Sequence, residues 1–156
     1  MRQSTLLYLY KPEEKEVLLA MKKRSFGVGK WNGVGGKLER NETVKEALVR
    51  ETKEEINVDV LMDDLQHMAT INFIYANKPE WDQETHVFIA EKWMGEPAET
   101  EEMNPKWYNI EHIPYDEMWV SDIKWLPLIL NGEKVEAIIN FNETGDKALK
   151  IEVNKI

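Results

Sequence analysis

The feature that most restricts the fold of this chain is a helical segment whose apolar stripe becomes acidic partway along. At about 100° per residue, the apolar side chains between positions 44 and 48 fall on one arc, and Glu51, Glu54 and Glu55 continue it. Carboxylates at these spacings repel one another by roughly a few tenths of a kcal/mol per pair, which favours a nearby cation. The pattern predicts a site for Mg²⁺, or alternatively Mn²⁺. The ordinary alternative is a solvated acidic helix end with surface ion pairs.

The segment before this helix is rich in glycine. Glycines occupy positions 27, 29, 33, 35 and 36, which indicates a loop that bends sharply or lets a ligand approach the backbone. The helix should begin with a capping box formed by Thr43 and Glu46 and run to about Ile56. Gly35 and Gly36 would then place a backbone carbonyl, and room for a phosphate, beside the carboxylates.

Composition excludes several kinds of site. The chain has 156 residues, no cysteine and a formal net charge of −9. Without cysteine there is no disulfide framework, thiolate metal site or cysteine nucleophile, which leaves carboxylates as metal ligands. The negative charge opposes binding of nucleic-acid polymers, because that binding depends on Lys and Arg. A small anion accompanied by a divalent metal remains compatible, and ordinary solubility is the alternative explanation of the acidity.

Length and hydropathy predict one domain over residues 1–156. No apolar run approaches the roughly 20 residues that span a bilayer. The N-terminus leads directly into a strand-like segment rather than a signal peptide. We therefore expect a cytoplasmic protein without a membrane partner, and a monomer.

Strand patterns dominate the rest of the chain. Alternation and turn residues predict strands over 6–10, 17–21, 69–76, 85–93, 106–109, 135–141 and 148–153. The first two should form a hairpin or lie as two neighbouring strands, and the last two should form a hairpin. A second, weaker helix should be capped by Ser121 and reach Leu130, with Pro127 bending or interrupting it. One strong and one weak helix among strands favour an α+β fold with a mixed sheet.

The charged residues around the first helix follow a longer pattern. From Gly36 the chain has five residues, Glu42, seven residues, and then Arg50-Glu51-Thr52-Lys53-Glu54-Glu55-Ile56-Asn57-Val58. This resembles the Nudix box, the signature of hydrolases that act on nucleoside diphosphates linked to another group. Thr52 stands where an aliphatic residue is usual, and Asn57 replaces the customary glycine. Because asparagine tolerates the left-handed conformation, the helix can still end there.

The resemblance implies a Nudix fold, in which a mixed sheet lies between helices (α/β/α). It implies that Gly36, Glu51, Glu54 and Glu55 coordinate divalent ions and that Arg50 orients a glutamate. A carboxylate would assist deprotonation of the attacking water, and Glu51 and Glu54 remain equal candidates.

Four further segments, at 17–24, 29–37, 102–103 and 113–119, are similar to the oxidised-purine nucleoside triphosphatases of that family. This group hydrolyses 8-oxo-dGTP to the monophosphate and pyrophosphate. The similarity implies base contacts by Asn32 and Asp122, stacking by Trp119, and a place in the metal site for Glu102. It also assigns the remaining substrate contacts to Lys22, Phe26, Phe73 and Met103. Without the resemblance, Trp119 would be a core residue, Asn32 a turn residue and Asp122 a helix-start carboxylate.

Two positions depart from the group. Ser121 replaces the first of two adjacent acidic residues, and Leu7 replaces an expected polar residue on the first strand. An acidic pair can share a proton and so accept more than one base edge. We therefore predict a narrower preference than the group's acceptance of both 8-oxo-dGTP and 2-oxo-dATP. The alternatives are a Nudix hydrolase of ordinary dNTPs, methylated purine nucleotides or ADP-ribose, and a weakly catalytic nucleotide-binding protein.

Overall fold

Strands form most of the regular structure in the computed structural model, which describes residues 1–25 and 27–156. The strands are β1 (Arg2–Lys11), β2 (Glu16–Lys22), β3 (Trp31–Asn32), β4 (Gln66–Tyr75), β5 (Gln83–Ala90), β6 (Met103–Asn109), β7 (Val135–Phe141) and β8 (Ala148–Lys155). The α-helices are α1 (Val44–Ile56) and α2 (Asp122–Leu130).

The strands join in one mixed sheet with the order β3-β2-β1-β5-β4-β7-β8, and β6 pairs with β2. Strand β1 runs parallel to β5, and β4 runs parallel to β7. The predicted hairpins β1–β2 and β7–β8 are both antiparallel, as expected. The mixed sheet of the predicted α+β fold is therefore confirmed.

Each face of the sheet is covered by one α-helix. Because side chains alternate along a strand, Leu7 and Leu9 of β1 join one buried cluster with Leu48 and Ile56 of α1. Tyr8 points to the opposite face and joins a second cluster that includes Trp125, Leu126 and Ile129 of α2. The sheet thus lies between helices, as the family resemblance implied.

Helix α1 has the predicted ends. Thr43 Oγ1 accepts from the Glu46 N–H at 3.2 Å, and Glu46 Oε1 accepts from the Thr43 N–H at 2.9 Å, which completes the capping box. At the other end Asn57 has a φ of 58° and donates its N–H to the Lys53 carbonyl. Asparagine therefore takes the left-handed position that glycine usually fills, and α1 ends where the sequence predicted.

Three details differ from the predictions. The glycine-rich segment contains the short strand β3, which pairs with β2. Ser121 precedes α2 and is buried, but it makes no capping hydrogen bond, because its backbone has φ −90° and ψ −11° instead of the extended conformation of a capping residue. Pro127 lies inside α2 and does not end it, and the helix continues to Leu130. Among the described residues, no helix is both long and apolar enough to cross a membrane.

Candidate active site

A single cavity of about 1190 Å³ collects the predicted site residues. Phe26 lies outside the described residues. All the others line this cavity, namely Lys22, Asn32, Gly36, Arg50, Glu51, Glu54, Glu55, Phe73, Glu102, Met103, Trp119 and Asp122. One end of the cavity is carboxylate-rich and the other is aromatic, so it can hold a ligand that has both a charged and a flat part.

At the charged end, Arg50 of helix α1 binds Glu42, which lies in the loop just before the helix. Its Nε and Nη2 donate to the two carboxylate oxygens of Glu42 at 2.7 and 2.9 Å, and its Nη1 donates to Glu51 Oε1 at 2.9 Å. Hydrogen bonding to Arg50 holds the pKa of Glu42 at about 2. Glu54 is more exposed and lies 3.4 Å from Arg50 Nη1. Arg50 therefore fixes the orientation of Glu51 while Glu54 stays close to solvent.

Glu55 is the most buried of the three carboxylates, with 4% of its surface exposed. Its Oε1 accepts from the Gly35 N–H at 2.7 Å. Loss of hydration raises the pKa of Glu55 to about 8, and burial also raises the pKa of Glu51. In the absence of a cation, the negative charges of Glu51 and Glu55 are therefore not fully compensated by nearby positive charge.

Gly36 lies directly against Glu51. A methyl group at Gly36 would come within 2.7 Å of Glu51 Oε1, so a side chain here would displace the carboxylate. The Gly36 carbonyl accepts from the Thr5 N–H at 2.8 Å and from the Thr5 hydroxyl at 3.3 Å, so the longer hydroxyl contact would have to give way for this oxygen to bind a cation. Glycine at this position therefore allows a backbone oxygen and a carboxylate to share one wall of the cavity.

The donor set at this end fits a divalent cation. Carboxylate and carbonyl oxygens are the ligands that Mg²⁺ prefers, and a cation would relieve the deficit of charge at Glu51 and Glu55. Among the described residues, no three acidic or histidine side chains already stand in the arrangement of a metal site. The carboxylates would have to turn towards a cation to bind it. Gly36, Glu51, Glu54 and Glu55 are the residues that would hold it.

Glu102 lies at the edge of the same region. Arg24 donates to its Oε1 from Nε at 3.1 Å and from Nη2. This hydrogen bonding lowers the pKa of Glu102, so its carboxylate is ionised. The charge of Lys22 acts on Glu51, Glu55 and Glu102 together. Lys22 is thus placed to meet an anionic ligand beside the carboxylates.

At the aromatic end, Asp122 is buried with 2% of its surface exposed. Burial raises the pKa of Asp122 to about 8. Its Oδ2, the Ser121 hydroxyl and Trp125 Nε1 are buried without a hydrogen-bond partner among the described residues. Buried polar atoms usually have partners, so these atoms indicate a place where a ligand completes the hydrogen bonding.

Trp119 forms an aromatic wall beside Asp122. Its ring centroid lies 6.1 Å from that of Phe141, and Lys30 Nζ lies 5.2 Å from the ring. Phe73 stacks on Phe141 at 6.0 Å, and Met103 is 4% exposed. The structure therefore places the predicted base-contacting and stacking residues together.

The departure from the family pattern at Leu7 lies outside this pocket. Leu7 is 1% exposed and belongs to the core under α1, so it does not alter the pocket. The polar residues of β1 that line the cavity are Arg2, Ser4 and Thr5. Ser4 Oγ lies 2.8 Å from Thr85 Oγ1 of β5, and both residues are buried. The alternation of side chains along β1 was the signal that could have identified Ser4.

The bidentate contact of Arg50 gives a testable prediction. Arg50→Lys removes the paired hydrogen bonds to Glu42, because an ammonium cannot reproduce the fork geometry. Misplacement of Glu51 should then lower kcat/KM by about ten- to a hundredfold, while the charge is conserved. Steady-state kinetics with a nucleoside triphosphate measure this, and Arg40→Lys, an exposed position in the preceding loop, is the matched control. Equal kinetics for both variants would contradict the assigned role.

Comparison with known proteins agrees with this geometry. Residues 1–129 match the NUDIX domain family. An oxidized purine nucleoside triphosphate hydrolase of Danio rerio is 42% identical over 137 residues, which cover 88% of this chain and 85% of that protein. The enzyme of the same description from Mus musculus is 40% identical over 133 residues, covering 85% and 82%.

The fold has a close structural counterpart. The crystal structure of a MutT protein from Bacillus halodurans superposes with a TM-score of 0.84 and covers 99% of this chain and 98% of its own. Its sequence identity is 18%, so it supports the fold alone. The matched domain covers most of the chain and includes the glycine loop, helix α1 and the carboxylates. The chain therefore belongs to the Nudix family.

Proposed function

We propose that this protein hydrolyses oxidised purine nucleoside triphosphates, with 8-oxo-dGTP preferred, to the monophosphate and pyrophosphate. Such a reaction removes damaged precursors before a polymerase can use them. The observation that carries the proposal is the one cavity that joins the carboxylates of α1 to the buried pocket of Asn32, Trp119 and Asp122. The names of the zebrafish and mouse relatives support the same substrate class.

The charged end of the cavity suits a triphosphate. In the proposal, Gly36, Glu51, Glu54 and Glu55 hold Mg²⁺ or Mn²⁺, with Glu102 close by. A bound divalent cation supplies Lewis-acid neutralisation of the phosphate charge. Lys22 adds a positive charge beside the carboxylates, and Arg50 keeps Glu51 in place. Glu51 or Glu54 would accept the proton as water attacks the α- or β-phosphorus, and the phosphoanhydride bond between these two phosphorus atoms breaks to release the monophosphate and pyrophosphate.

The aromatic end suits a purine. Stacking on an aromatic ring stabilises any base by about 1–3 kcal/mol and so cannot select among bases. Selection must come from hydrogen bonds at the base edge, where Asn32 and the buried Asp122 are the polar groups. A base that leaves the buried Asp122 oxygen unpaired is penalised.

The proposal extends to the remaining properties of the chain. We propose a single domain over residues 1–156 that acts as a cytoplasmic monomer on a small-molecule nucleotide. The net charge of −9 supports a nucleotide rather than a nucleic-acid polymer as the ligand.

The test is release of pyrophosphate and monophosphate from 8-oxo-dGTP, dGTP, 2-oxo-dATP and ADP-ribose with Mg²⁺. We expect kcat/KM for 8-oxo-dGTP to exceed that for dGTP by about tenfold or more, because the oxidised base has an N7–H donor and a carbonyl at C8 that dGTP lacks. Glu54→Gln should remove the activity. Because Ser121 leaves only one acidic residue here, 2-oxo-dATP should be a poorer substrate.

Other outcomes assign other functions. Preferred turnover of ADP-ribose would keep the Nudix chemistry and refute the base pocket. Nucleotide binding without metal-dependent turnover would support a binding protein instead. Comparable efficiency on 8-oxo-dGTP and 2-oxo-dATP would contradict the narrow preference alone.

A further inference from the structure

Tyr8 of β1 is completely buried, yet its hydroxyl is directed to the cavity residue Asn32. The hydroxyl donates to Asn32 Oδ1 at 3.1 Å. The ring packs edge-on against Trp125 with a centroid distance of 6.2 Å. Burial, together with the nearby Asp122 carboxylate, raises the pKa of Tyr8, so the hydroxyl keeps its proton and remains a donor.

A second donor fixes the orientation of the Asn32 amide. The Gly33 N–H donates to the same Oδ1 at 2.8 Å. A backbone N–H can only donate, so the side-chain atom that faces it must be the oxygen. The Asn32 Nδ2 group is therefore turned away from Tyr8, and none of the residues in 1–25 and 27–156 accepts a hydrogen bond from it. Because Asn32 lines the cavity, its N–H donors are available to a ligand.

The packing of Gly33 keeps these three residues in one rigid unit. A methyl group at Gly33 would lie 3.1 Å from Tyr8 Cε1 and 2.6 Å from the Leu7 carbonyl oxygen. Only glycine lets the loop backbone rest this closely on the tyrosine ring and the strand. The loop that carries Asn32 is thereby seated against β1.

We propose that Tyr8 is a positioning residue that fixes the hydrogen-bond polarity of Asn32, so that the pocket favours a base-edge carbonyl over an amino group. This inference rests on the proposed function, since it concerns how the same pocket selects its base. Guanine-type bases carry the O6 acceptor where adenine-type bases carry an N6 amino donor. An amide whose N–H groups face the ligand donates to the O6 carbonyl of a guanine-type base. It is repelled by the N6 amino group of an adenine-type base.

The test is Tyr8→Phe, which keeps the ring and removes the hydroxyl. The substrates are 8-oxo-dGTP and 8-oxo-dATP, which share the oxidised position and differ at the base edge. The Gly33 N–H is then the only donor left on Oδ1, so the orientation of the amide is less strongly fixed. We expect the ratio of their kcat/KM values to fall about fivefold, which corresponds to one hydrogen bond. The change should lie in KM, with kcat for 8-oxo-dGTP within about twofold of wild type.

Tyr10→Phe is the matched control. Tyr10 lies two residues further along β1 and is half-buried, and its hydroxyl forms no hydrogen bond within the described part of the chain. Its removal should leave the ratio unchanged. A purely structural role of Tyr8 would lower kcat/KM for both nucleotides equally, and that result would overturn the inference.

A binding measurement separates this inference from the proposed function. Calorimetry without metal gives Kd values for 8-oxo-dGMP and 8-oxo-dAMP and does not depend on turnover. A reduced Kd ratio in Tyr8→Phe supports the role of Tyr8 even if the wild type hydrolyses neither triphosphate. An unchanged ratio overturns it even if hydrolysis is confirmed. Failure of the wild type to bind either monophosphate would overturn both.

Discussion

Glu55→Gln is expected to lower kcat for 8-oxo-dGTP by about a thousandfold and at the same time to stabilise the metal-free protein. The activity falls because glutamine removes the charge of the most buried carboxylate at the proposed cation site. The stability rises because that charge is poorly compensated when no cation is bound. The Gly35 N–H still finds an oxygen acceptor in glutamine.

The pH dependence of this stabilisation follows from the pKa of Glu55, which burial raises to about 8 from its ordinary value of 4.5. Between these values the folded protein binds a proton that the unfolded chain releases. The free energy of unfolding of the wild type therefore falls as pH rises through this window. Glu55→Gln removes the effect, so at pH 7 it should be more stable by about 1–3 kcal/mol, and the gain should vanish near pH 4.

Urea denaturation with a chelator present measures this difference, and single-turnover kinetics measure the loss of activity. Glu54→Gln is the matched control, because Glu54 is exposed. It should lose activity while its free energy of unfolding stays within about 0.5 kcal/mol of wild type. A Glu55→Gln protein less stable than wild type at pH 7 would refute the uncompensated charge.

Asp122→Asn is expected to lower kcat/KM for 8-oxo-dGTP by about a hundredfold. Asp122 is buried beside Trp119, and its Oδ2 has no partner among the described residues. Donors of a guanine-type edge would favour the ionised form of Asp122 on binding, whereas an amide places N–H donors where that carboxylate would accept. Two mismatched hydrogen-bonding groups in a buried site cost about 2–3 kcal/mol, which is close to a hundredfold. Kinetics with 8-oxo-dGTP and 8-oxo-dATP should show that discrimination between guanine-type and adenine-type bases is lost as well.

The same change should stabilise the ligand-free fold. Burial raises the pKa of Asp122 to about 8 from 3.8, so wild-type stability falls as pH rises between those values. Asp122→Asn should therefore raise the free energy of unfolding at pH 7 by about 1–3 kcal/mol. Asp116→Asn, at an exposed position nearby, should change neither property. Unaltered discrimination in Asp122→Asn would refute the base contact.

Local signals in the sequence were sufficient for helix α1. The capping residues Thr43 and Glu46 and the left-handed Asn57 act within a few residues, so the helix ends were predictable. Spacing along the same helix also identified Glu51 and Glu55 as neighbours. Their burial was not predictable, because it depends on the Gly35–Gly36 loop packing over them.

The pocket floor, the part of the cavity that Ser4 and Thr85 line, was harder to predict, because it depends on pairing between distant strands. A shift of one residue along a strand turns every side chain to the other face. This is why Leu7, which lies in the core, was matched to a polar position of the family, while Ser4 was missed. The Ser4–Thr85 contact requires the parallel register of β1 and β5, which no local pattern specifies. Ser121 was predicted to cap α2 because no local pattern in the sequence indicates that its side chain is buried.

The parallel pairing of β1 with β5 also has a consequence for the order of folding. It joins residues that are 81 positions apart, such as Ser4 and Thr85, so the nascent chain cannot form it until β5 has left the ribosome. Closing so long a loop is entropically expensive and slow compared with forming α1, which needs only local contacts. A growing chain can therefore form its acidic helix well before Ser4 and Thr85 meet to build the pocket floor. The ability to distinguish one nucleotide from another belongs only to chains that have finished folding.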